Sequence, residues 1–302
     1  MTHAKHVPED GAGIFYAGFA YAVWGIMPLY WRLLSSMPPF ELTVHRLVWC
    51  AFVVAGVTLA RGRMAQILAI VKQPRLFATL ALTSVLITTN WTIYIYCVQT
   101  HQLVEASLGY FINPFISFAL GALVLGEHMS PFRIVAMALA AIAVTAQAIA
   151  LGHIPWIAPA LAMSFGLYGY FRKLAPVDAL DGLTVETWIL FPITLSLVLF
   201  WWAKGTGAFP STDLTKDALL LGGGPLTALP LTMFAAGARR IRLTTLGFLQ
   251  YLSPSITLVI ATLMLGEKFT HTDAIAFGCV WAALLIVSAE GRVRWYLATR
   301  PF

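Results

Sequence analysis

Charged residues are scarce in this chain. Only 11% of its 302 residues are Asp, Glu, Lys or Arg, whereas 59% are hydrophobic, and an ordinary soluble domain carries about 25% charged residues. Such a chain has too little polar surface to face water on all sides, which excludes a soluble globular protein. The composition instead indicates a protein that faces lipid.

Cysteine and catalytic motifs are also lacking. The three cysteines, Cys50, Cys97 and Cys279, lie inside apolar runs and have no partner at the spacing of a zinc or redox site. No motif of a serine nucleophile or a zinc-binding histidine pair occurs. The glycines at 222–224 are not followed by the lysine of a phosphate-binding loop. We therefore expect neither an enzyme, a metal site nor a cofactor.

The chain is instead rich in long apolar runs. A membrane crossing needs about 20 predominantly apolar residues, and ten such runs follow one another with short connections. The sequence thus predicts an all-α membrane protein with ten transmembrane helices. The first run is too long for the core of a signal peptide, so we expect it to stay in the mature protein. The runs cover residues 14–34, 40–60, 76–98, 103–125, 131–151, 155–174, 183–203, 217–238, 244–265 and 273–290.

The net charge of +6 concerns orientation in the membrane. The basic residues lie in short connections and form no continuous stripe, so binding of nucleic acid is not indicated. If the N-terminus is cytoplasmic, 14 of the 19 Lys and Arg residues fall on the cytoplasmic side and 3 on the other, with 2 inside spans. This bias follows the positive-inside rule and predicts that both termini are cytoplasmic.

An internal repeat relates the two halves of the chain. A shift of 140 residues places Pro114 on Pro254, and a shift of 138 places Gly109 on Gly247. Each copy contains five spans, and because five is odd, the second copy must enter the membrane from the opposite side. Inverted repeats of this kind are typical of secondary transporters. The predicted repeats are residues 1–151 and 152–302.

The paired glycines and prolines predict a weak point in spans four and nine. Pro114 and Pro254 lack the amide hydrogen that an α-helix uses, and Gly109 and Gly247 precede them. Within a membrane, the carbonyl groups left free are tolerated only beside protein or water. We therefore expect both helices to break there and to face a central cavity.

Polar and aromatic side chains deep in the spans are the candidate contacts of a small-molecule substrate. Amides donate and accept hydrogen bonds, although they bond across membrane helices equally often. Aromatic rings with a hydroxyl or indole group suit a planar or cationic solute, although packing is the commoner role of a single ring. The candidates are Asn90, Trp91, Tyr94, Tyr110, Asn113, Tyr168, Gln250 and Tyr251.

Ionisable residues inside spans are costly and are therefore functional candidates. His45 and Glu186 occupy equivalent positions in the two repeats, and we expect one or both to act in a gate or in proton coupling. Arg46 is a further candidate that would hold a carboxylate such as Glu41 or Glu105. Alternatively, these side chains extend to the nearby membrane interface.

The order of several motifs resembles one transporter family. The chain is similar to the RarD branch of the EamA transporters, in the drug/metabolite transporter superfamily, over nearly all ten spans. The resemblance implies a ten-helix permease of the inner membrane with a central cavity between its halves. The motifs are WGIMPLYWRLL, LTVHRLVW, NWTIYIY, EASLGYFINP, GLYGYFRK, ETWILFP, RRIRLTTLGFLQYLSP and GEK.

Two other functions stay open at this point. A passive channel or a membrane sensor can be built from the same inverted repeats, since a sequence does not display conformational exchange. Small residues on the span surfaces are compatible with a homodimer and equally with packing inside a monomer. The expectation is a secondary transporter for a small organic metabolite or drug, with possible coupling to protons.

Overall fold

The computed structural model describes residues 10–99, 103–126, 130–151 and 156–264, together with isolated positions between 271 and 289. The described residues form helices and connecting segments, without a β-strand. The helices are α1 (Gly11–Arg32), α2 (Pro39–Ala60), α3 (Met64–Val71), α4 (Pro74–Gln99), α5 (Leu103–Ala119), α6 (Pro131–Leu151), α7 (Ile157–Leu174), α8 (Ala179–Ala203), α9 (Leu214–Ala238), α10 (Leu243–Leu249) and α11 (Leu252–Leu263).

The helices begin where the sequence supplies caps. Asp10, Asp178 and Asp213 each accept a hydrogen bond from a backbone amide two residues further on, which satisfies a donor that the first turn leaves free. Pro39 and Pro74 stand at the first position of α2 and α4, where a missing amide hydrogen costs nothing. Local chemistry thus sets these helix starts.

Among the described residues, five helices are long and apolar enough to cross a membrane. They are Gly11–Arg32, Phe40–Ala60, Pro74–Tyr94, Ala179–Ala203 and Leu214–Ala238. These segments agree with the predicted spans one, two, three, seven and eight. The tenth predicted span, residues 273–290, is described only in part, and its described positions are helical.

One helix was not expected. Residues 64–71, in the charged connection after the second span, form α3. Ile70 of α3 packs with Leu76 and Leu80 of α4 and with Val185 of α8. This helix forms because its apolar side chains find partners on two longer helices, which a local reading of the connection cannot reveal.

Helices α2 and α8 pack in opposite directions. Near the end of α2, the Thr58 hydroxyl lies 3.0 Å from that of Thr184 near the start of α8. At the other end, the rings of Phe40 and Trp201 lie 6.1 Å apart. The α2–α8 pair is therefore antiparallel. We call the end where α2 finishes and α8 starts the first end, and the end where α2 starts and α8 finishes the second end.

The contacts between the two halves occur in matched pairs. Helix α1 packs on α9 as α7 packs on α4, and α1 packs on α11 as α7 packs on α5. Helix α2 packs on α8, and α5 packs on α10. By the sequence repeat, the counterpart of α1 is α7, that of α2 is α8, that of α4 is α9, and that of α5 is the α10–α11 segment. Replacing each helix by its counterpart turns each of these contacts into another contact of the same set.

The two proline-containing segments differ in their helices. Helix α5 runs without interruption through Gly109 and Pro114 and continues as a π-helical segment, Leu120–Val124; the expected break there is wrong. A proline in a membrane helix leaves one carbonyl without its amide partner, and neighbouring helices can compensate. The second segment is interrupted between α10 and α11, after Gly247 and before Pro254.

Glycine allows the helices of the two halves to approach closely. A Cβ atom at Gly109 would lie 2.9 Å from Cβ of Leu161, and one at Gly247 would lie 3.0 Å from Cβ of Ser117. A Cβ atom at Gly224 would lie 2.7 Å from the backbone carbonyl carbon of Trp49. Backbone atoms cannot move aside as a flexible side chain can, so α9 and α2 need glycine at this crossing.

We expect Gly224→Ala to destabilise the protein by roughly 1–3 kcal/mol, the usual cost of overpacking. Gly56→Ala is the matched control, because a Cβ atom at Gly56 of α2 meets nothing within 4 Å. Thermal unfolding in detergent would measure both variants. Equal melting temperatures for the two variants would contradict the close approach of α2 and α9.

Candidate solute-binding site

A small cavity lies inside the bundle between α2, α4, α7, α8 and α9. The volume that the centre of a water-sized sphere can occupy in this cavity is about 10 Å³. A cavity of this size holds about one water molecule. Its accessible surface is apolar, although several residues that can form hydrogen bonds are among those that line it. The lining residues are Leu47, Cys50, Ser84, Ile87, Trp91, Tyr168, Leu183, Glu186, Thr187, Leu190, Thr227 and Leu231.

Glu186 is the charged group in the cavity wall. Its side chain is buried, and Oε1 accepts a hydrogen bond of 2.5 Å from the Thr83 hydroxyl. Oε1 also lies 3.6 Å from Nε of Arg172, which is equally buried. Oε2 has no hydrogen-bond partner in the structure. One oxygen of this carboxylate is therefore held by protein, and the other is free for a proton or a solute.

Arg172 reaches Glu186 across a glycine. A Cβ atom at Gly182 would lie 2.1 Å from Nη1 of Arg172, so any larger residue would displace the guanidinium. Nη2 donates to the carbonyl of Ala179 in the first turn of α8. On α4, the Ser84 hydroxyl donates to the backbone carbonyl of Glu186. Helices α4, α7 and α8 are thus joined around one ion pair.

A second charged group borders the cavity. The guanidinium of Arg46 lies 4.5 Å from the ring centroid of Trp31 and 4.7 Å from that of Trp91. Its Nε donates to the Thr227 hydroxyl at 3.3 Å, and that hydroxyl donates to the carbonyl of Gly223. Cation–π contacts from two helices and one hydrogen bond from a third hold this side chain.

The three glycines of α9 explain how these aromatic side chains fit. A Cβ atom at Gly222 would lie 2.6 Å from the hydroxyl oxygen of Tyr30, and one at Gly223 would lie 3.4 Å from the ring of Trp31. The run that resembles a phosphate loop in sequence is therefore a flat helix surface. It receives large side chains from α1 and α2.

Carboxylates join the two halves at both ends of the α2–α8 pair. At the first end, Nη2 of Arg63 donates to Oδ2 of Asp181 at 2.6 Å, and this bond raises the pKa of the Arg63 guanidinium. At the second end, Oε1 of Glu41 accepts a 2.6 Å hydrogen bond from the backbone amide of Ala208. The Arg63–Asp181 and Glu41–Ala208 contacts thus join the two halves on either side of the cavity.

Comparisons with known proteins identify the family. A model of the EamA-like transporter family matches residues 11–146 and again residues 155–289. The chain belongs to the EamA-like transporter family. It is 39% identical to the uncharacterized transporter YojE of Bacillus subtilis over 99% of both chains. It is 35% identical to Protein RarD of Escherichia coli over 91% of this chain and 93% of that one, which places it in the RarD branch.

Solved structures agree in fold. One crystal structure aligns with a TM-score of 0.67 over 91% of this chain and 96% of the other, at 16% identity. At this identity the likeness concerns the fold alone. The EamA chain is therefore a multi-pass membrane protein, and its cavity and charged groups have to be interpreted from their own geometry.

Three of the predicted binding and coupling residues of the EamA chain line the cavity: Trp91, Tyr168 and Glu186. Asn90 does not. Its amide donates to the carbonyl of Leu161 at 2.9 Å and to the Ser164 hydroxyl at 3.0 Å. Asn90 precedes Trp91 on the same helix and therefore faces α7, where it serves as a bond between helices.

Among the described side chains, those of spans four and nine do not line this cavity, whereas the sequence predicts that they face a central one. The rings of Tyr94 and Tyr110 contact each other with their centroids 5.9 Å apart and their planes inclined at 60°. Tyr251 packs with Phe118 and Phe248 in a separate cluster. These helices use their aromatic rings to pack against each other and their neighbours, which leaves the cavity to α2, α4, α7, α8 and α9.

Two amides next to the prolines are buried. Gln250 lies at the interruption between α10 and α11. Asn113 of α5 is fully buried, and neither of its amide atoms has a hydrogen-bond partner in the structure. Its position between Gly109 and Ser117 directs it towards α7 and α10. Asn113 remains a candidate contact for a solute outside the cavity described above.

The other ionisable candidates have different surroundings. His45 is buried beside Glu41, with Nε2 3.8 Å from Oε1, so it lies next to the contact at the second end and does not extend to an interface. Arg46 pairs with neither Glu41 nor any other carboxylate among the described residues. Glu105 lies in α5, and its side chain is outside the described part of the structure.

Sequence analysis did not identify Arg172, Thr83, Trp31 or Thr227 as site residues. Arg172 is one of the 14 basic residues that the orientation count places on the cytoplasmic side, and Trp31 stands near the end of the first span, where tryptophan is typical of the membrane interface. One signal for Arg172 was available, because a carboxylate in an apolar run needs a cation and the end of span six carries one. No sequence pattern distinguishes Thr83 or Thr227 from other threonines in the spans.

We expect Arg172→Met to destabilise the EamA chain by roughly 3–5 kcal/mol at pH 8, because Glu186 then stays buried without a counter-ion. The double variant Arg172→Met/Glu186→Leu should regain most of this loss, since it removes both charges. Thermal unfolding in detergent of both single variants and the double variant measures the coupling. Additive losses would show that the two groups do not interact.

Proposed function

We propose that the protein is a secondary transporter that moves a small organic solute across the membrane by alternating access. The observation that carries this proposal is a small cavity that is lined by residues from both halves of the chain, Glu186 among them, and that lies between two contacts joining the halves. A carrier needs such a site and two closures that open in turn.

We infer that the two halves, residues 1–151 and 152–302, are inverted five-helix repeats. The family model matches the chain once in each half. The antiparallel packing of α2 on α8 supports inversion, because these helices are counterparts in the two repeats and would run in the same direction in a parallel duplication. The matched contacts of α1 with α9 and of α7 with α4 support the same axis.

We place both termini in the cytoplasm of a cell whose inner membrane holds the protein. The distribution of lysine and arginine favours this orientation. Several of these residues also cap helix ends: Arg239 donates to the carbonyl of Val177, and Lys173 donates to that of Ile241. The end with Arg63 and Asp181 is then cytoplasmic, and the end with Glu41 and Ala208 faces outwards.

Glu186 is the residue that we assign to proton coupling. Glu186 lines the cavity, its Oε2 has no hydrogen-bond partner among the described residues, and its Oε1 is held by Thr83 and Arg172. Of the charged or titratable groups, Arg172 and Tyr168 approach it from α7, and Cys50 approaches it from α2. A carboxylate that binds and releases a proton beside the solute site links the two flows.

A channel and a sensor are the competing functions. A channel would pass solute faster than a conformational cycle permits, and a sensor would bind without passing solute. An enzyme is not expected, because the described cavity contains no pair of catalytic groups beyond the ion pair. The closures at both ends favour a carrier over an open channel.

Uptake into proteoliposomes tests the transporter. We expect saturable uptake of at least one member of a panel of amino acids, aromatic metabolites and amphenicols, increased by an imposed pH difference. Glu186→Gln should remove the effect of the pH difference and retain exchange of labelled for unlabelled solute, since exchange needs no net proton movement. Flux that does not saturate would support a channel, and binding without flux would support a sensor.

The closure at the first end allows a test of alternating access. In a chain without its three native cysteines, Arg63→Cys and Asp181→Cys would be joined by a short, cleavable bifunctional thiol reagent. We expect the joined protein to lose nearly all transport and to regain it on cleavage. Each single-cysteine variant, treated in the same way, serves as control. Full transport in the joined protein would overturn the assignment of this contact as a gate.

A further inference from the structure

Arg46 has donors that the described protein does not use. Its Nε donates to Thr227, but neither Nη1 nor Nη2 donates to any described residue, and no described carboxylate lies within 4 Å. The side chain is only partly buried. A guanidinium inside a membrane protein that keeps its terminal donors free, beside a cavity, has the properties of a binding group.

The tryptophans leave a defined part of Arg46 available. Trp31 and Trp91 lie against the guanidinium at 4.5 Å and 4.7 Å from its central carbon. The Nε donor is used by Thr227, and the N–H bonds of Nη1 and Nη2 point outwards in the plane of the guanidinium. The Nη1–Nη2 edge, opposite the bond to Thr227, is therefore the part that can receive a ligand.

Three carboxylates that are buried or form the closing contacts already have partners on the chain. Glu186 lies beside Arg172, Asp181 beside Arg63, and Glu41 beside the amide of Ala208. Each of these interactions balances or anchors its carboxylate, so none of the three supplies a counter-charge to Arg46. Arg46 is thus a positive charge beside the cavity that a bound solute would balance.

The connection between Arg46 and the cavity indicates what the rest of that solute is like. Trp91 and Thr227 contact Arg46 and also line the cavity. Beyond them, the wall is mostly apolar and includes Ile87 and Leu231. A solute held at its charged end by Arg46 would therefore extend an apolar or aromatic portion between α4, α7 and α9.

We propose that Arg46 binds the carboxylate of the transported solute and that the substrates are organic monocarboxylates. The proposal rests on the proposed transport function and adds the substrate class. The planar edge of a guanidinium matches the two oxygens of a carboxylate in a bidentate pair. A single unbalanced charge favours a monoanion over a phosphate dianion, which would bring one excess negative charge into the bundle.

Matched pairs of ligands test this assignment without a gradient. Indole-3-acetate and indole-3-acetamide, and phenylacetate and phenylacetamide, differ only at the carboxylate. Binding to the wild-type protein in nanodiscs at pH 7.5 is measured by calorimetry and by quenching of tryptophan fluorescence. We expect each carboxylate to bind about tenfold to a hundredfold more tightly than its amide, because a charge-assisted bidentate contact is lost in the amide.

Variants locate the preference at Arg46. Arg46→Met should bind acid and amide equally, and Arg46→Lys should keep part of the preference, since it retains the charge without the planar edge. Arg32→Met is the matched control: it removes the same charge from an exposed position next to Trp31 and should leave the preference unchanged. Equal binding of acid and amide by the wild-type protein would overturn the proposal whether or not any variant folds.

The outcomes also separate this inference from the transport function. Carboxylate-selective binding without uptake would support the Arg46 site and refute the transporter. Saturable uptake of neutral or cationic solutes, without competition from any carboxylate, would support the transporter and refute the Arg46 site. A preference that survives Arg46→Met but is lost in Arg32→Met would place the anion at the membrane surface and also refute it.

Discussion

The ion pair between Arg172 and Glu186 joins three helices inside an apolar bundle. A charge in such surroundings is stable only when an opposite charge and hydrogen bonds compensate it. Arg172 comes from the end of α7, Glu186 from α8, and Thr83 from α4. The requirement to compensate these charges therefore fixes how the three helices sit relative to one another, and with them much of the cavity wall.

Close helix packing makes this compensation possible. Gly182 lets the guanidinium of Arg172 pass over α8, and Gly223 leaves space for Trp31 and the stem of Arg46. Membrane helices gain little from burying apolar surface against each other, because lipid is equally apolar. Contacts between backbones and bonds between polar groups then carry the association. Glycine and charge consequently occur together at the same crossings in this protein.

The two charged groups near the cavity have opposite relations to their surroundings. Glu186 has a cation and a hydroxyl on one oxygen and a free second oxygen. Arg46 has two indole rings close to its guanidinium, and its terminal nitrogens donate to no described residue. A proton can neutralise the first group, and a solute anion can neutralise the second. A carrier in which both sites open to the same side would move the two species in a coupled way.

Sequence and structure agree where the property is local. The lengths of the apolar runs predicted the long helices α1, α2, α4, α8 and α9, since hydropathy depends on neighbouring residues alone. Helix α5 shows the limit of this reasoning. Gly109 and Pro114 predicted a break, but its neighbours α7 and α10 support the helix through both positions.

The sequence by itself determined the class of protein, the repeat in its two halves and which spans carry charge, because these properties depend on composition and order. Only the tertiary structure decided that Arg172 meets Glu186 and that Arg46 lies between Trp31 and Trp91. Helices in such a bundle are apolar on nearly all sides, so their hydrophobic pattern does not specify which face points inwards. Rotation and depth are set by partners on distant helices, and these decide which polar residues share a site.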